Sequence, residues 1–340
     1  MKQILKERGQ IDLDIGFFDD FLNAEELSCI DQPIAAYASL YNRKYYYLYS
    51  MYILWWKNWS YPLPNGFINS RNVILRKIGL SIENVEVKNE NELLCTLKRN
   101  VDNKIATILY LHRKTLVYDQ GYGDEEHDSL HGILFTGYNT KYPAVCIRDV
   151  AHIERSGAKY EGSGYGLFRL WLKESLLQEM WSISKDINFN TEWGNGIYTV
   201  VQFSEKNIIT EKEILKELVN CGEELDDNKF LNCLNNIKDD LSVLKDDDTL
   251  IWMRITFLAS KKAFFKILKL LYKERKLYNA ICEIEEEYIR IQDDIINILA
   301  IRGKRNKILK KDEYDFVVKQ LKKVDIKLRT VLTLCIGHPQ

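Results

Sequence analysis

The spacing of apolar and polar positions changes twice along the chain. Residues 29–57 carry apolar side chains at helical spacing and are unusually rich in Tyr and Trp. Pro62-Leu63-Pro64-Asn65-Gly66 interrupts that run, and 71–79 resumes it. Short β-like stretches follow at 81–88, 93–97, 105–111 and 115–118. The cleanest alternation is His131-Gly132-Ile133-Leu134-Phe135-Thr136-Gly137-Tyr138, followed by 144–149, with Asn139-Thr140-Lys141-Tyr142-Pro143 between them. That pattern predicts a hairpin. Residues 166–185 read as an amphipathic helix and 197–203 as a last strand.

From about residue 210 Gly and Pro nearly vanish, and Leu, Ile, Lys, Glu and Asp dominate. The spacing predicts helices over 211–220, 227–243, 249–274, 276–302 and 311–334, with Asp246-Asp247-Asp248-Thr249 offering N-cap chemistry. The expected fold class is α+β: a mixed catalytic domain over 1–205, then an all-helical bundle over 206–340. No internal repeat or low-complexity linker separates them.

Composition narrows the classes. A chain of 340 residues can build two domains, and its net charge of -1 provides no global field for nucleic acid. Its seven Cys are scattered, odd in number and without a CxxC pair, which argues against a disulfide framework or a zinc ribbon. Reduced thiols suit a cytoplasmic protein. The charged start Met1-Lys2-Gln3-Ile4-Leu5-Lys6-Glu7-Arg8 does not read as a signal peptide, and the apolar stretch 45–56 is too short to span a bilayer. No membrane or nucleic-acid partner is expected. No metal cluster is visible, nor any GxxxxGK[ST] phosphate loop. The Gly-rich segments Gly121-Tyr122-Gly123 and Gly162-Ser163-Gly164-Tyr165-Gly166 do not fit phosphate motifs and read as loops flanking a site.

Three residues form a candidate catalytic set. Cys29 opens a helical run, His131 opens one strand of the hairpin, and Asp149 ends the other. A helix N-terminus and a nearby imidazolium both favour a thiolate, and a carboxylate orients the imidazole. Taken alone, a Cys on an apolar helix is ordinarily core. Of the five His, His127 sits in the acidic loop Asp124-Glu125-Glu126-His127-Asp128, where solvent exposure is the default, and His152 has a structural alternative. Cys95 and Cys146 fall in strand-like contexts without help from a helix dipole. Asn23, six residues before Cys29, is the candidate oxyanion donor beside the Cys29 backbone N–H; the alternative is a turn or cap residue.

These residues resemble the peptidase C39-like, papain-fold proteins. The closest likeness is to the butirosin-biosynthesis H-type acyltransferases, which place a papain-like domain before a helical region. The resemblance covers roughly 20–205 in pattern and the helical tail in architecture. It implies a papain-like (C39-like) fold and acyl transfer from a carrier-protein thioester to an amine. No cofactor is implied beyond the phosphopantetheine that carries the donor. Within that group the chain is similar to the transglutaminase-like amide synthetases of closthioamide-type assembly. Those imply an aromatic-capped β-alanine donor on an acyl or peptidyl carrier protein, and a small diamine acceptor. The chain departs from C39 peptidases, because Asn23 stands for their Gln and Ile30 follows the Cys. Amide formation in antibiotic-type biosynthesis is therefore favoured over peptide cleavage.

Two further features bear on substrates. The rings Tyr45, Tyr49, Tyr52 and Trp56 are candidates to line an acyl groove, with core packing as the alternative. Asp124, Glu125, Glu126 and Asp128 are candidates to attract an amine, with a solvated loop as the alternative. Basic clusters in the tail, among them Lys273, Arg275, Lys276, Lys304, Arg305 and Lys307, suit an acidic carrier or a plain solvated face, and a homo-oligomer is open. Two other classes stand beside the transferase: a cysteine hydrolase with the same triad, and a non-enzymatic helical binding protein.

Overall fold

The computed structural model describes residues 9–15, 22, 27–59, 66–119, 121–126, 129–149, 168–186, 196–202, 210–220, 260–304 and 310–337. The chain is α+β, mixed helix and antiparallel sheet, and divides into two compact units. One comprises Met1–Tyr49 with Pro64–Ile208, the other Ser50–Leu63 with Ile209–Gln340.

The first unit is built on a sheet of seven strands: β1 (Gln10–Asp12), β2 (Leu80–Asn84), β3 (Thr107–His112), β4 (Leu130–Asn139), β5 (Ala144–Asp149), β6 (Phe168–Lys173) and β7 (Ile197–Gln202). Among the described residues every pairing is antiparallel, in the order β2-β7-β3-β4-β5-β6, with β1 also paired to β4. The helices are α1 (Asp31–Tyr41), α2 (Arg43–Trp59), α3 (Phe67–Lys77), α4 (Glu90–Asp102) and α5 (Glu174–Asp186). Alternation along the hairpin places Ile133 and Phe135 on the face that carries Val145 and Ile147. There they pack with Leu93 and Leu97 of α4 and with Leu177, Met180 and Trp181 of α5. α1 packs against β4 and β7. Between Phe135 and Gly137 the β4–β5 register shifts. A Cβ on Gly137 would run into the Ile11 carbonyl, so the glycine admits β1 alongside β4.

The hairpin and the last strand fall where the alternation places them. Four expectations are corrected. Residues 93–97, read as a strand, lie inside α4. Its apolar stripe of Leu93, Leu94, Leu97 and Val101 is helical, and the Asn89 side chain caps it by accepting from the Glu92 N–H at 3.0 Å. Residues 115–118, also read as a strand, are the end of a 3₁₀ turn at Arg113–Thr115 and the loop after it; Thr115 Oγ1 helps close the turn by donating to the His112 carbonyl at 2.7 Å. The segment 166–185, read as one helix, is β6 followed by α5, because Phe-Arg-Leu-Trp-Leu-Lys alternates and pairs with β5. The long aromatic run is two helices, broken at Asn42, whose backbone is extended.

The second unit takes α2 from Ser50 onward. It adds α6 (Glu211–Asn220), α7 (Ser260–Leu271), α8 (Arg275–Lys304) and α9 (Lys311–Gly337). Thr210 and Glu213 form a capping box at α6, Thr210 N–H donating to Glu213 Oε2 at 2.6 Å and Glu213 N–H to Thr210 Oγ1 at 3.3 Å. α8 packs along α9 and α7, and α6 against α9. Trp55 meets Phe264 at 5.5 Å between ring centroids. Lys261 is buried with its ammonium 4.6 Å from the Tyr288 ring centroid, and burial lowers its pKa to about 7. The helices expected over 227–243 and the first part of 249–274, with the Asp246–Thr249 cap, lie outside the described residues. Among the described residues no helix is long and apolar enough to cross a membrane.

Candidate functional site

The β4–β5 register explains how His131 and Asp149 meet. Leu134 pairs with Arg148, so Asp149 falls opposite Ile133. His131 lies two residues away on the same face, a diagonal neighbour within side-chain reach. His131 Nε2 lies 2.6 Å from Asp149 Oδ1, and both residues are buried. Nδ1 is the ring nitrogen that Asp149 does not engage, and Cys29 lies close enough to the ring to favour its charged form. A neutral His131 that donates to Asp149 would carry its proton on Nε2 and keep its lone pair on Nδ1.

The electrostatics follow from these contacts. Burial disfavours a charged His131, but the Asp149 carboxylate and Cys29 outweigh it and hold the imidazole pKa well above the ordinary range. The second oxygen of Asp149 is also engaged: Tyr118 Oη donates to Oδ2 at 2.8 Å. Burial, reinforced by Asp149, pushes the Tyr118 hydroxyl well above its usual pKa, so it remains a donor.

Cys29 is partly exposed and sits in the turn that leads into α1. The Gln32 and Asp31 N–H groups both donate to the Ser28 carbonyl at 2.9 Å, so the first helical turn begins around Cys29 itself. Ser28 Oγ accepts from the Asp31 N–H at 3.3 Å, as an N-cap does. Tyr110 Oη of β3 donates to the Ile30 carbonyl at 3.1 Å. Gly132, next to His131, lets the Cys29 backbone approach: a Cβ there would lie 2.8 Å from the Cys29 carbonyl oxygen and 2.9 Å from Tyr110 Cε1. The structure therefore brings Cys29, His131 and Asp149 together.

The remaining candidates are placed differently. Asn23, His127, Asp128, His152 and the 162–166 glycines lie outside the described residues, as does the Trp56 side chain. Leu22, just before Asn23, is buried and pinned at both backbone groups, its N–H donating to Tyr46 Oη at 3.1 Å and its carbonyl accepting from Gln32 Nε2 at 2.5 Å. Of the rings expected to line a groove, Tyr49 and Tyr52 are fully buried and Tyr45 nearly so. Tyr49 donates to Asp31 and Tyr52 to Glu217, so these hydroxyls hold the fold and do not face an open groove. In the acidic loop Asp124 is half-buried, while Glu125 and Glu126 are exposed. Glu125 pairs with Lys114 at 2.6 Å, and Asp124 Oδ1 accepts from the Glu126 N–H at 3.0 Å. Buried Asp119 anchors the start of this loop, accepting from Arg113 Nε and the Gly121 N–H at 2.7 Å each. Cys95 is exposed on α4, and Cys146 is buried in β5, where burial raises its thiol pKa. In the second unit Lys273 and Arg275 line a groove with Lys266, Lys269, Leu270 and Tyr278, and Lys269 pairs with Glu285 at 2.6 Å. Among the described residues no group of three or more His, Cys, Asp and Glu could hold a metal ion.

Residues that the sequence did not single out complete the surroundings of Cys29. Tyr118, Tyr110, Arg71 and Asp31 all touch the triad or its turn. Only Ser28-x-x-Asp31 carried a local signal, a capping pattern that reads equally well as a plain helix start. Comparison of the chain with protein-family models and with curated proteins finds no match.

Proposed function

We propose that the chain is a cysteine-dependent acyltransferase with a papain-like, C39-like domain and a C-terminal helical bundle. It takes an acyl group from a carrier-protein thioester and forms an amide with a small amine or diamine, in thiotemplate biosynthesis. The observation that carries this reading is the buried His131–Asp149 pair at 2.6 Å, with Cys29 close enough to favour the charged imidazole. Cys29 Sγ attacks the thioester carbonyl, the bond to the carrier sulfur breaks, and His131 returns a proton to the leaving carrier thiolate. The amine then attacks the acyl-enzyme. His131 accepts the amine proton and delivers it to Cys29 Sγ as the amide leaves. Asp149, held from behind by Tyr118, keeps the ring oriented through both steps. A thioester donor makes amide formation downhill without a nucleotide. Loop acids Asp124, Glu125 and Glu126 would favour a cationic acceptor.

A hydrolase is the second reading, favoured by the partial exposure of Cys29, which admits water to the same acyl-enzyme. Intact mass after incubation with short acyl thioesters, wild type against Cys29→Ala, tests both. A wild-type adduct discharged by amine to an amide supports the transferase. Discharge equally fast in water supports the hydrolase. No adduct and no turnover of any thioester, together with a Cys29 alkylated no faster than the other six cysteines, refutes both.

A further inference from the structure

We infer that the buried Asp31–Arg71 pair is a positioning device for Cys29, holding its turn against His131; this rests on Cys29 being the nucleophile. Asp31 lies two residues after Cys29 and is 0% exposed. Its Oδ1 accepts from Tyr49 Oη of α2 at 2.9 Å and from Arg71 Nε of α3 at 3.0 Å. Its Oδ2 accepts from Arg71 Nη2 at 3.2 Å and from Ser28 Oγ at 2.8 Å. The guanidinium therefore grips both carboxylate oxygens with its planar fork, a geometry that a lysine cannot reproduce.

The placement matters more than the strength. A buried ion pair is poor value as stability, since apolar replacements of similar volume are often neutral or better. This one closes the four-residue turn that contains Cys29. Ser28 is bonded to Asp31 through side chain and backbone alike, so Cys29 and Ile30 are spanned by a loop whose far end is clamped to α2 and α3. On the other side Tyr110 holds the Ile30 carbonyl and the bare Gly132 backbone receives the Cys29 carbonyl. Two helices and two strands thus converge on one turn, and that turn carries Cys29, which helps hold the His131 charge.

The test is the titration of His131, followed by NMR of the histidine ring in the full chain, together with the rate of Cys29 acylation. Among the described residues, the titratable groups facing His131 are Asp149 of β5 and Cys29, with Tyr118 behind Asp149. Cys29 helps hold the His131 pKa up, so release of the turn lowers the His131 midpoint, a change that a purely structural role would not produce. Asp31→Leu/Arg71→Met removes both charges at once and leaves none buried. Ser28→Ala keeps the ion pair and the backbone bond from Asp31 to Ser28, and removes only the side-chain bonds between them. Both should lower the His131 midpoint and slow acylation by about 10- to 100-fold with KM unchanged, as expected for a misplaced reacting group. The Ser28 variant should show the smaller effect. If both variants fold with wild-type His131 titration and wild-type acylation, the inference is overturned. If wild-type Cys29 takes no acyl group, the functional reading fails by itself, and the His131 titrations still decide whether the pair holds the turn.

Discussion

Gly132→Ala probes the assembled site with the smallest possible change. The new methyl carbon would stand 2.8 Å from the Cys29 carbonyl oxygen and 2.9 Å from Tyr110 Cε1. Ordinary contact begins at 3.4 Å, so the Cys29 carbonyl must retreat by about 0.6 Å. Neither neighbour is the free end of a flexible chain. The carbonyl is backbone, and the Tyr110 ring is held by its hydroxyl on Ile30. Overpacking of this kind costs about 1–3 kcal/mol of stability. Because a displacement of about 1 Å can cost 10²-fold in rate, a shift of this size should slow acylation by roughly tenfold. The assay is single-turnover acylation of Cys29 by a short thioester, read by intact mass, beside thermal unfolding of the same preparation. A variant with the wild-type acylation rate and the wild-type unfolding midpoint would refute the close approach of the Cys29 backbone to β4.

Asp149→Asn should lower the acylation rate by about 10²-fold or more and move the alkaline limb of the pH–rate profile down, because the carboxylate helps hold the His131 pKa up. A raised folded pKa also means that the pair's stabilisation is complete below about pH 6.5 and is lost as pH rises through the folded value, so the variant should flatten that dependence in pH-resolved unfolding. Lys261→Met tests the second unit. The folded ammonium gives up its proton near about 7 while the unfolded one keeps it to about 10.5. In that window the unfolded state binds more protons, and wild-type stability should rise with pH. Urea midpoints measured from pH 7 to 10 should show this rise in wild type and lose it in the variant; the same slope in both would refute the burial of the ammonium.

The sequence by itself determined what depends on near neighbours. The β4–β5 hairpin was legible because alternation and a polar turn are local properties, and with it came the diagonal closeness of His131 and Asp149. The start of the Cys29 helix was legible from its apolar spacing, as were the helices after residue 210 that lie among the described residues. Local signals also misled: a short apolar run at 93–97 fits strand and helix alike, and the cap at Asn89 with the stripe extending to Val101 decided for α4. Tertiary structure alone decided the rest. It assigned Ser50–Leu63 to the helical unit, though no change of composition marks that segment. It buried Asp31, a residue that a helix pattern would leave in water, by bringing Arg71 to it from 40 positions away. It joined Tyr118 to Asp149 across 31 positions and Tyr110 to Ile30 across 80. It turned Tyr49 from a candidate groove ring into a buried donor to Asp31. The physical reason is that a buried charge must find its partners wherever the fold supplies them, and a one-dimensional pattern encodes burial far better than it encodes partners.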